Sequence, residues 1–164
     1  MHATTNPIEI WHKTILDNDP SELFSILDDS FQFYSPAVFK SKEKYMGYIY
    51  LLAASQSFLT SDFKYTREII DKEQAVLEFE CTMGGVTVNG IDMFKWNSNN
   101  KLTEMKVMIR TEKALEAVKQ EMTKNLSKPE LWRWLIQSYT YIITNHGKKI
   151  RKLSSRWCSR NKGR

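Results

Sequence analysis

The sequence contains few of the residues that define several protein classes. Its 164 residues include two cysteines, four prolines and six glycines. So little glycine and proline excludes collagen-like and low-complexity chains. Neither Cys81 nor Cys158 lies in a Cys-x-x-C pair or at metal-ligand spacing from a histidine, so no zinc motif is present. With only two thiols, a reducing compartment is expected.

Long apolar segments are also missing. No run of about 18 apolar residues occurs, as a membrane-spanning helix would need. The best candidate, residues 131–143, is shorter and contains Arg133 and Gln137. Residues 1–10 lack the basic region and the apolar core of a signal peptide. The sequence therefore predicts a cytoplasmic protein without a membrane-spanning helix, and it indicates no metal and no cofactor.

The charges divide the chain into two parts. Apolar residues make up 41% and charged residues 26% of the sequence, which is enough to bury a core. Residues 1–125 hold 14 basic and 18 acidic residues, a net charge of −4. Residues 126–164 hold 10 basic residues and one acidic residue, a net charge of +9. We therefore predict a domain over 1–125 and a helical, then basic, extension over 126–164.

Helical and strand patterns follow one another along the predicted domain. Apolar residues at helical spacing predict helices at Pro7–Asp17, capped by Asn6, and at Leu23–Leu27, Ser41–Leu59 and Thr111–Met122. Alternating patterns predict strands at Phe31–Ser35, Phe63–Ile70, Ala75–Thr82, Val86–Trp96 and Leu102–Arg110. This order predicts an α+β fold, in which a curved antiparallel sheet packs on the N-terminal helices and one long helix. Such a fold leaves a cavity between sheet and helices, which is a candidate ligand site.

Four segments within residues 7–123 carry a resemblance to a known superfamily. They are Leu16–Glu22, Ile26–Pro36, Asn89–Phe94 and Lys101–Val107. In their order and spacing they resemble the SnoaL-like, nuclear transport factor 2-like superfamily. Its relatives include ketosteroid isomerases, polyketide cyclases and limonene epoxide hydrolases. The resemblance implies a cone-shaped α+β barrel that is often dimeric.

The catalytic groups of these relatives carry over incompletely. The resemblance to the isomerases places their phenol at Trp11, their base at Ser35 and their late-strand acid at Asp92. A serine without a partner is too weak a base for proton abstraction beside a carbonyl, so steroid-type isomerisation is not expected. Of the Asp-Arg-Asp grouping of the epoxide hydrolases, this sequence offers only Asp92 and Arg110. The polyketide cyclases pair the strand acid with a histidine, but no histidine occurs within residues 13–145.

Asp92 is the candidate functional and catalytic residue. Its neighbours Ile91, Met93 and Phe94 are apolar, and desolvation in such a setting raises the pKa of a carboxyl. A neutral acid can donate a hydrogen bond to a ligand carbonyl, and the resemblance to the ketosteroid isomerases implies this role for Asp92. The alternative is a structural aspartate bonded to backbone or to Trp11. The predicted ligand-binding residues around it are Trp11, Phe33, Ser35, Phe94, Met105 and Val107.

Three functions remain open from the sequence. The first is a pocket that binds a small apolar molecule with a carbonyl or hydroxyl group, with Asp92 as its polar anchor; whether it catalyses a reaction is left open. The second is a non-catalytic interaction domain that forms a homodimer through the outer sheet face. The third is contact of the basic extension with nucleic acid or membrane, although residues 148–164 read more simply as a solvated charged end. An open cavity favours the first function over the second.

Overall fold

The computed structural model describes residues 6–133. The chain forms two compact units, the first ending at Lys128 and the second beginning at Pro129. The described part of the second unit is the helical stretch 129–133. The remainder of the predicted extension lies outside the described residues. Within residues 6–133, no helix has both the length and the apolar character needed to cross a lipid bilayer.

The first unit alternates helices and strands in the predicted order. The helices are α1 (Pro7–Leu16), α2 (Lys44–Phe58) and α3 (Glu112–Leu126), with a short 3₁₀ helix at Leu23–Ile26. The strands are β1 (Leu27–Tyr34), β2 (Lys42–Glu43), β3 (Lys64–Asp71), β4 (Gln74–Met83), β5 (Val86–Trp96) and β6 (Leu102–Arg110). As predicted, Asn6 caps α1, because its side-chain oxygen accepts a hydrogen bond from the Ile8 N–H at 2.9 Å.

The long helix α2 begins later than the sequence predicted. We expected Ser41 to cap it, but the helix starts at Lys44 and its N-cap is Glu43, which makes no side-chain capping bond. The reason is that Lys42–Glu43 forms the short strand β2, which pairs antiparallel with Gln32 and Phe33. Sheet pairing therefore keeps this stretch extended and delays the first helical turn.

The six strands form one curved, unclosed sheet in the order β2-β1-β6-β5-β4-β3. Strands β3 to β6 form the predicted antiparallel meander. Strand β1 lies parallel to β6, with Phe33 opposite Met105, so the sheet is mixed rather than wholly antiparallel. The chain passes through α2 and four strands between β1 and β6, and a connection of this length permits a parallel pair. The α+β fold class is confirmed.

Close packing on the inner sheet face depends on one glycine. Gly90 on β5 lies opposite Phe79 on β4. A Cβ at position 90 would overlap the Phe79 ring and would come within 2.8 Å of the Met108 carbonyl oxygen. Only glycine at position 90 leaves room for the Phe79 ring, which packs closely against the backbone of β5. Helix α2 packs on β1 and α3, and α3 packs on β5 and β6. These contacts hold the helices over the inner face.

Candidate functional site

A partly open cavity of about 220 Å³ lies within the first unit, between the sheet and the helices. Most of its wall is aromatic or aliphatic, including residues such as Phe58, Phe63 and Leu115. Asp92 is the one carboxyl group among the described residues that line it. Pockets for drug-sized ligands occupy roughly 300–1,000 Å³. The cavity therefore suits a smaller, mostly apolar molecule.

The structure brings most of the predicted site residues together in this wall. Asp92 lines the cavity together with Trp11, Phe33, Ser35, Met105 and Val107. The prediction that Phe94 lines the ligand site is wrong, because Phe94 is not among the described lining residues. It is 1% exposed, and the Trp11 ring lies against it with centroids 5.7 Å apart. Phe94 therefore supports the wall without facing a ligand.

Asp92 is held in surroundings that disfavour its charge. It points inward from β5, between Leu77 on β4 and Val107 on β6, and only 4% of its surface is exposed. Burial raises the pKa of its carboxyl from 3.8 to about 7, although hydrogen bonding from Tyr65 and Trp11 acts in the opposite direction. The group is therefore poised between its neutral and ionised forms near neutral pH.

Tyr65 connects Asp92 to helix α1. Its hydroxyl donates to Asp92 Oδ2 at 2.8 Å and accepts from the Trp11 indole Nε1–H at 2.6 Å. Burial, followed by the nearby charge of Asp92, raises the pKa of the Tyr65 phenol well above its ordinary value. The phenol therefore keeps its proton, and the three side chains form one hydrogen-bonded chain, which we call the Trp11–Tyr65–Asp92 chain.

The sequence did not identify Tyr65, and a β-bulge is the reason. Uninterrupted alternation along β3 would place Tyr65 on the same face as Arg67 and Ile69. The register with β4 shifts between Tyr65 and Arg67, so Tyr65 pairs with inward-facing Phe79 while Arg67 pairs with outward-facing Glu78. A bulge leaves no clear mark in a single sequence, and so no signal in the residue pattern could have placed this hydroxyl in the site.

The other polar groups considered for the site supply no base. Ser35, the position of the isomerase base, accepts a hydrogen bond from the Ala37 N–H at 3.2 Å. Lys119 of α3 lines the cavity and forms an ion pair with Glu116 at 2.7 Å. Arg110 is exposed and is absent from the described lining, so the hydrolase grouping of acid and arginine is not assembled. Asp92 is therefore the chemical centre of the site.

Comparison with known proteins gives similarity at the level of structure. No protein-family profile and no curated protein sequence matches the chain. A steroid delta-isomerase from Pseudomonas aeruginosa has a similar structure, with a TM-score of 0.69 and 28% identity over 74% of this chain and 89% of that one. A cystatin-like-fold protein from Silicibacter pomeroyi has a TM-score of 0.68 and 22% identity over 81% and 92% of the two chains.

A third similar structure is a putative SnoaL-like polyketide cyclase from Shewanella denitrificans. Its TM-score is 0.52, with 12% identity over 72% of this chain and 95% of that one. The same arrangement of sheet and helices thus occurs in an isomerase, a cyclase-like protein and a protein of uncharacterised function. The resemblance seen in the sequence is confirmed, and the chain has the cone fold of the SnoaL-like, nuclear transport factor 2-like superfamily.

Proposed function

We propose that the chain binds a small, mostly apolar molecule through a hydrogen bond between its carbonyl or hydroxyl group and Asp92. The observation that carries this proposal is the buried Asp92 carboxyl in the wall of an otherwise apolar cavity. Tyr65 donates to Oδ2, and we propose that a ligand engages Oδ1. Apolar walls with a small number of oriented polar groups are typical of small-molecule sites.

The chemistry of the lining favours binding and polarisation of a carbonyl over proton abstraction from carbon. A neutral Asp92 can donate to a carbonyl oxygen, and an ionised Asp92 can accept from a hydroxyl. The described lining residues include no second carboxyl and no imidazole that would act as a base beside the bound group. Catalysis by the isomerase route would need such a base within reach of the substrate proton.

A thermal-shift titration with acetophenone tests the proposal. We expect this aryl methyl ketone to raise the melting temperature of the wild type, because a ligand that binds only the folded state stabilises it. Asp92→Ala removes the carboxyl, whereas Asp92→Asn keeps the shape of the side chain and still offers an amide N–H to a ketone oxygen. Asp92→Ala should therefore lose about tenfold in affinity, which corresponds to one hydrogen bond, and Asp92→Asn should retain ketone binding.

Asp28, a half-buried aspartate on β1, provides the matched control. Its carboxyl already accepts bonds from Ser30 and Asn97 on the protein surface. Asp28→Ala should therefore bind acetophenone as the wild type does. Equal affinity of the wild type and Asp92→Ala for the ketone would contradict the proposed anchor.

The outer face of the sheet favours a second function, formation of a homodimer. Ile69, Val76 and Met93 lie in register across β3, β4 and β5, and Ile91 pairs with Met108 across β5 and β6. Ile69 is 57% and Met108 52% exposed. We call these five residues the outer apolar stripe. A two-fold contact brings the same patch of both copies together, and an apolar stripe satisfies that requirement of self-complementarity.

The charges beside the stripe also fit a second copy of the chain. Arg67 pairs with Glu78 at 2.7 Å, and Lys95 pairs with Glu104 at 3.2 Å. Charges of both signs therefore flank the stripe. Two identical surfaces would not repel each other through an excess of one sign. A partner with the same surface is accordingly the occupant that we propose for this face.

Sedimentation velocity tests the dimer. The wild type should sediment with twice the 19.3 kDa chain mass, and Met108→Lys should shift it to the monomer, because a charge buried in an apolar contact is costly. The control is Phe39→Lys, which replaces a fully exposed apolar side chain away from the stripe. A monomeric wild type at all concentrations, or a dimer that survives Met108→Lys, would contradict the proposal.

A further inference from the structure

Helix α3 presents one charged side chain to the apolar cavity. Residues three and four apart share a face of a helix, and the cavity-lining residues of α3 follow that spacing. They are Leu115, Val118, Lys119, Met122, Thr123 and Leu126. Lys119 lies four residues after Leu115 and three before Met122, so the helix itself turns this lysine toward the cavity.

The lining combines a buried acid with a half-exposed cation. Only 4% of Asp92 is exposed, whereas 49% of the Lys119 side chain is in contact with solvent. Among the described lining residues, Lys119 is the one cationic group and Asp92 the one carboxyl. The lining hydroxyls of Ser35 and Thr123 carry no charge. A negatively charged ligand group is therefore attracted to Lys119, at the part of the lining that meets solvent.

The present partner of Lys119 is easily replaced. Its ammonium lies 2.7 Å from Glu116 Oε2, and the Glu116 side chain is 54% exposed. Ion pairs with such exposure contribute little to stability. Glu116 is not among the described lining residues. A carboxylate that enters the cavity can take its place at Lys119, and Glu116 is then hydrated, so no buried charge is left unpaired.

From this arrangement we propose that Lys119 binds a carboxylate of the ligand, so that the cavity takes small acids with an apolar body. Binding by Lys119 rests on the proposed function of the pocket and names the class of its ligand. The ammonium donates a charge-assisted hydrogen bond to a carboxylate, which is stronger than its bond to a neutral amide oxygen. The apolar body of the acid packs against the aromatic and aliphatic wall.

The probes 3-phenylpropionate and 3-phenylpropanamide test the inference, because they share one skeleton and differ in the charge of one end. At about pH 6 the acid is ionised, while burial keeps Asp92 mostly neutral. The wild type should bind the acid about fivefold more tightly than the amide, the equivalent of one exposed ion pair. Raising the NaCl concentration from about 0.05 M to about 0.5 M should reduce this preference by screening.

Carbon-13 labelled methionine methyl groups report both the affinity and the place of binding. Met105 and Met122 line the cavity, whereas Met108 is exposed on the outer face of the sheet. Both probes should therefore shift the methyl resonances of Met105 and Met122 and leave that of Met108 in place.

A second ion pair on α3 supplies matched controls. Lys124 lies 2.8 Å from Glu121 with the same spacing of three residues, and neither is among the described lining residues. Lys119→Gln should abolish the preference for the acid, and Glu116→Gln should strengthen it about twofold by removing the competing carboxylate. Lys124→Gln and Glu121→Gln change the net charge equally and should keep the wild-type ratio.

The outcomes separate the role of Lys119 from the proposed function. If neither probe shifts Met105 or Met122, the pocket itself fails, and Lys119 has no ligand to bind. If both probes bind there with equal affinity, the role of Lys119 is overturned while the pocket stands. Equal losses of preference in Lys119→Gln and Lys124→Gln would also overturn it, because they would show an effect of net charge alone.

Discussion

The Asp92→Asn variant is expected to gain stability over the wild type as the pH rises. The folded-state pKa of Asp92 is raised to about 7, above its ordinary value of 3.8. Between these values the unfolded chain releases a proton that the folded chain retains, so the wild type loses stability with increasing pH. The effect is complete once the pH exceeds the folded-state pKa. Asparagine does not titrate and avoids this loss, while its amide oxygen can still accept from Tyr65.

The expected size follows from the pKa difference. Each unit is equivalent to about 1.4 kcal/mol, so the stability of Asp92→Asn relative to the wild type should rise by about 3 kcal/mol between about pH 5 and about pH 8. Urea unfolding at several pH values measures this difference. Asp28 is the control, because the Ser30 N–H lowers the pKa of its carboxyl, which places its titration below this window. A constant difference for Asp92→Asn would contradict the account of its burial.

Phe79→Ala is expected to destabilise the protein and to enlarge the ligand site. Phe79 is 1% exposed, lines the cavity and stacks against Phe63 with ring centroids 5.1 Å apart. Its removal should lower the free energy of unfolding by about 3–5 kcal/mol, as is usual for a buried phenylalanine. The vacated volume joins the existing cavity. We therefore expect 2-acetylnaphthalene, which is acetophenone with a second fused ring, to bind the variant about tenfold more tightly than the wild type.

Phe31→Ala separates the two effects. Phe31 on β1 is fully buried, packs against Gly47 and is not among the described lining residues. We expect urea unfolding to show a comparable loss of stability for Phe31→Ala. The affinity for 2-acetylnaphthalene should not rise, because the cavity that this substitution leaves forms elsewhere in the core. Thermal-shift titration with 2-acetylnaphthalene measures the affinities. An equal gain in both variants, or none in Phe79→Ala, would show that the ligand does not occupy the proposed cavity.

The parts of the fold that depend on local pattern could be predicted from the sequence. Alternating apolar residues and Gly or Asn turns defined the meander from β3 to β6, and the bounds of β5 and β6 matched the prediction. Among the apolar neighbours that indicated a buried carboxyl at Asp92, Phe94 shares its face of β5, because side chains two residues apart on a strand lie on the same side. In these cases the chain neighbours of a residue also determine its environment.

The parts that depend on contacts between distant segments could not be predicted. Ser41 reads as a helix cap, but pairing of Lys42–Glu43 with β1 overrides that local preference. The parallel arrangement of β1 and β6 joins strands that are far apart in the chain. Tyr65 reaches Asp92 only because a bulge turns it inward. Each feature is decided by a partner strand, and one sequence does not record that partner.

A carbon-13 NMR titration of the aspartate side-chain carboxyls tests the central claim most directly. Assigned by comparison with Asp92→Asn, the Asp92 resonance should titrate with a midpoint near 7, because the carboxyl is shielded from water in the cavity wall. The carboxyl of Asp28 should titrate below 3.8 in the same spectra, because the Ser30 N–H stabilises its ionised form. A midpoint for Asp92 near the ordinary value of 3.8 would contradict a buried, neutral anchor, and with it the proposed recognition of a carbonyl.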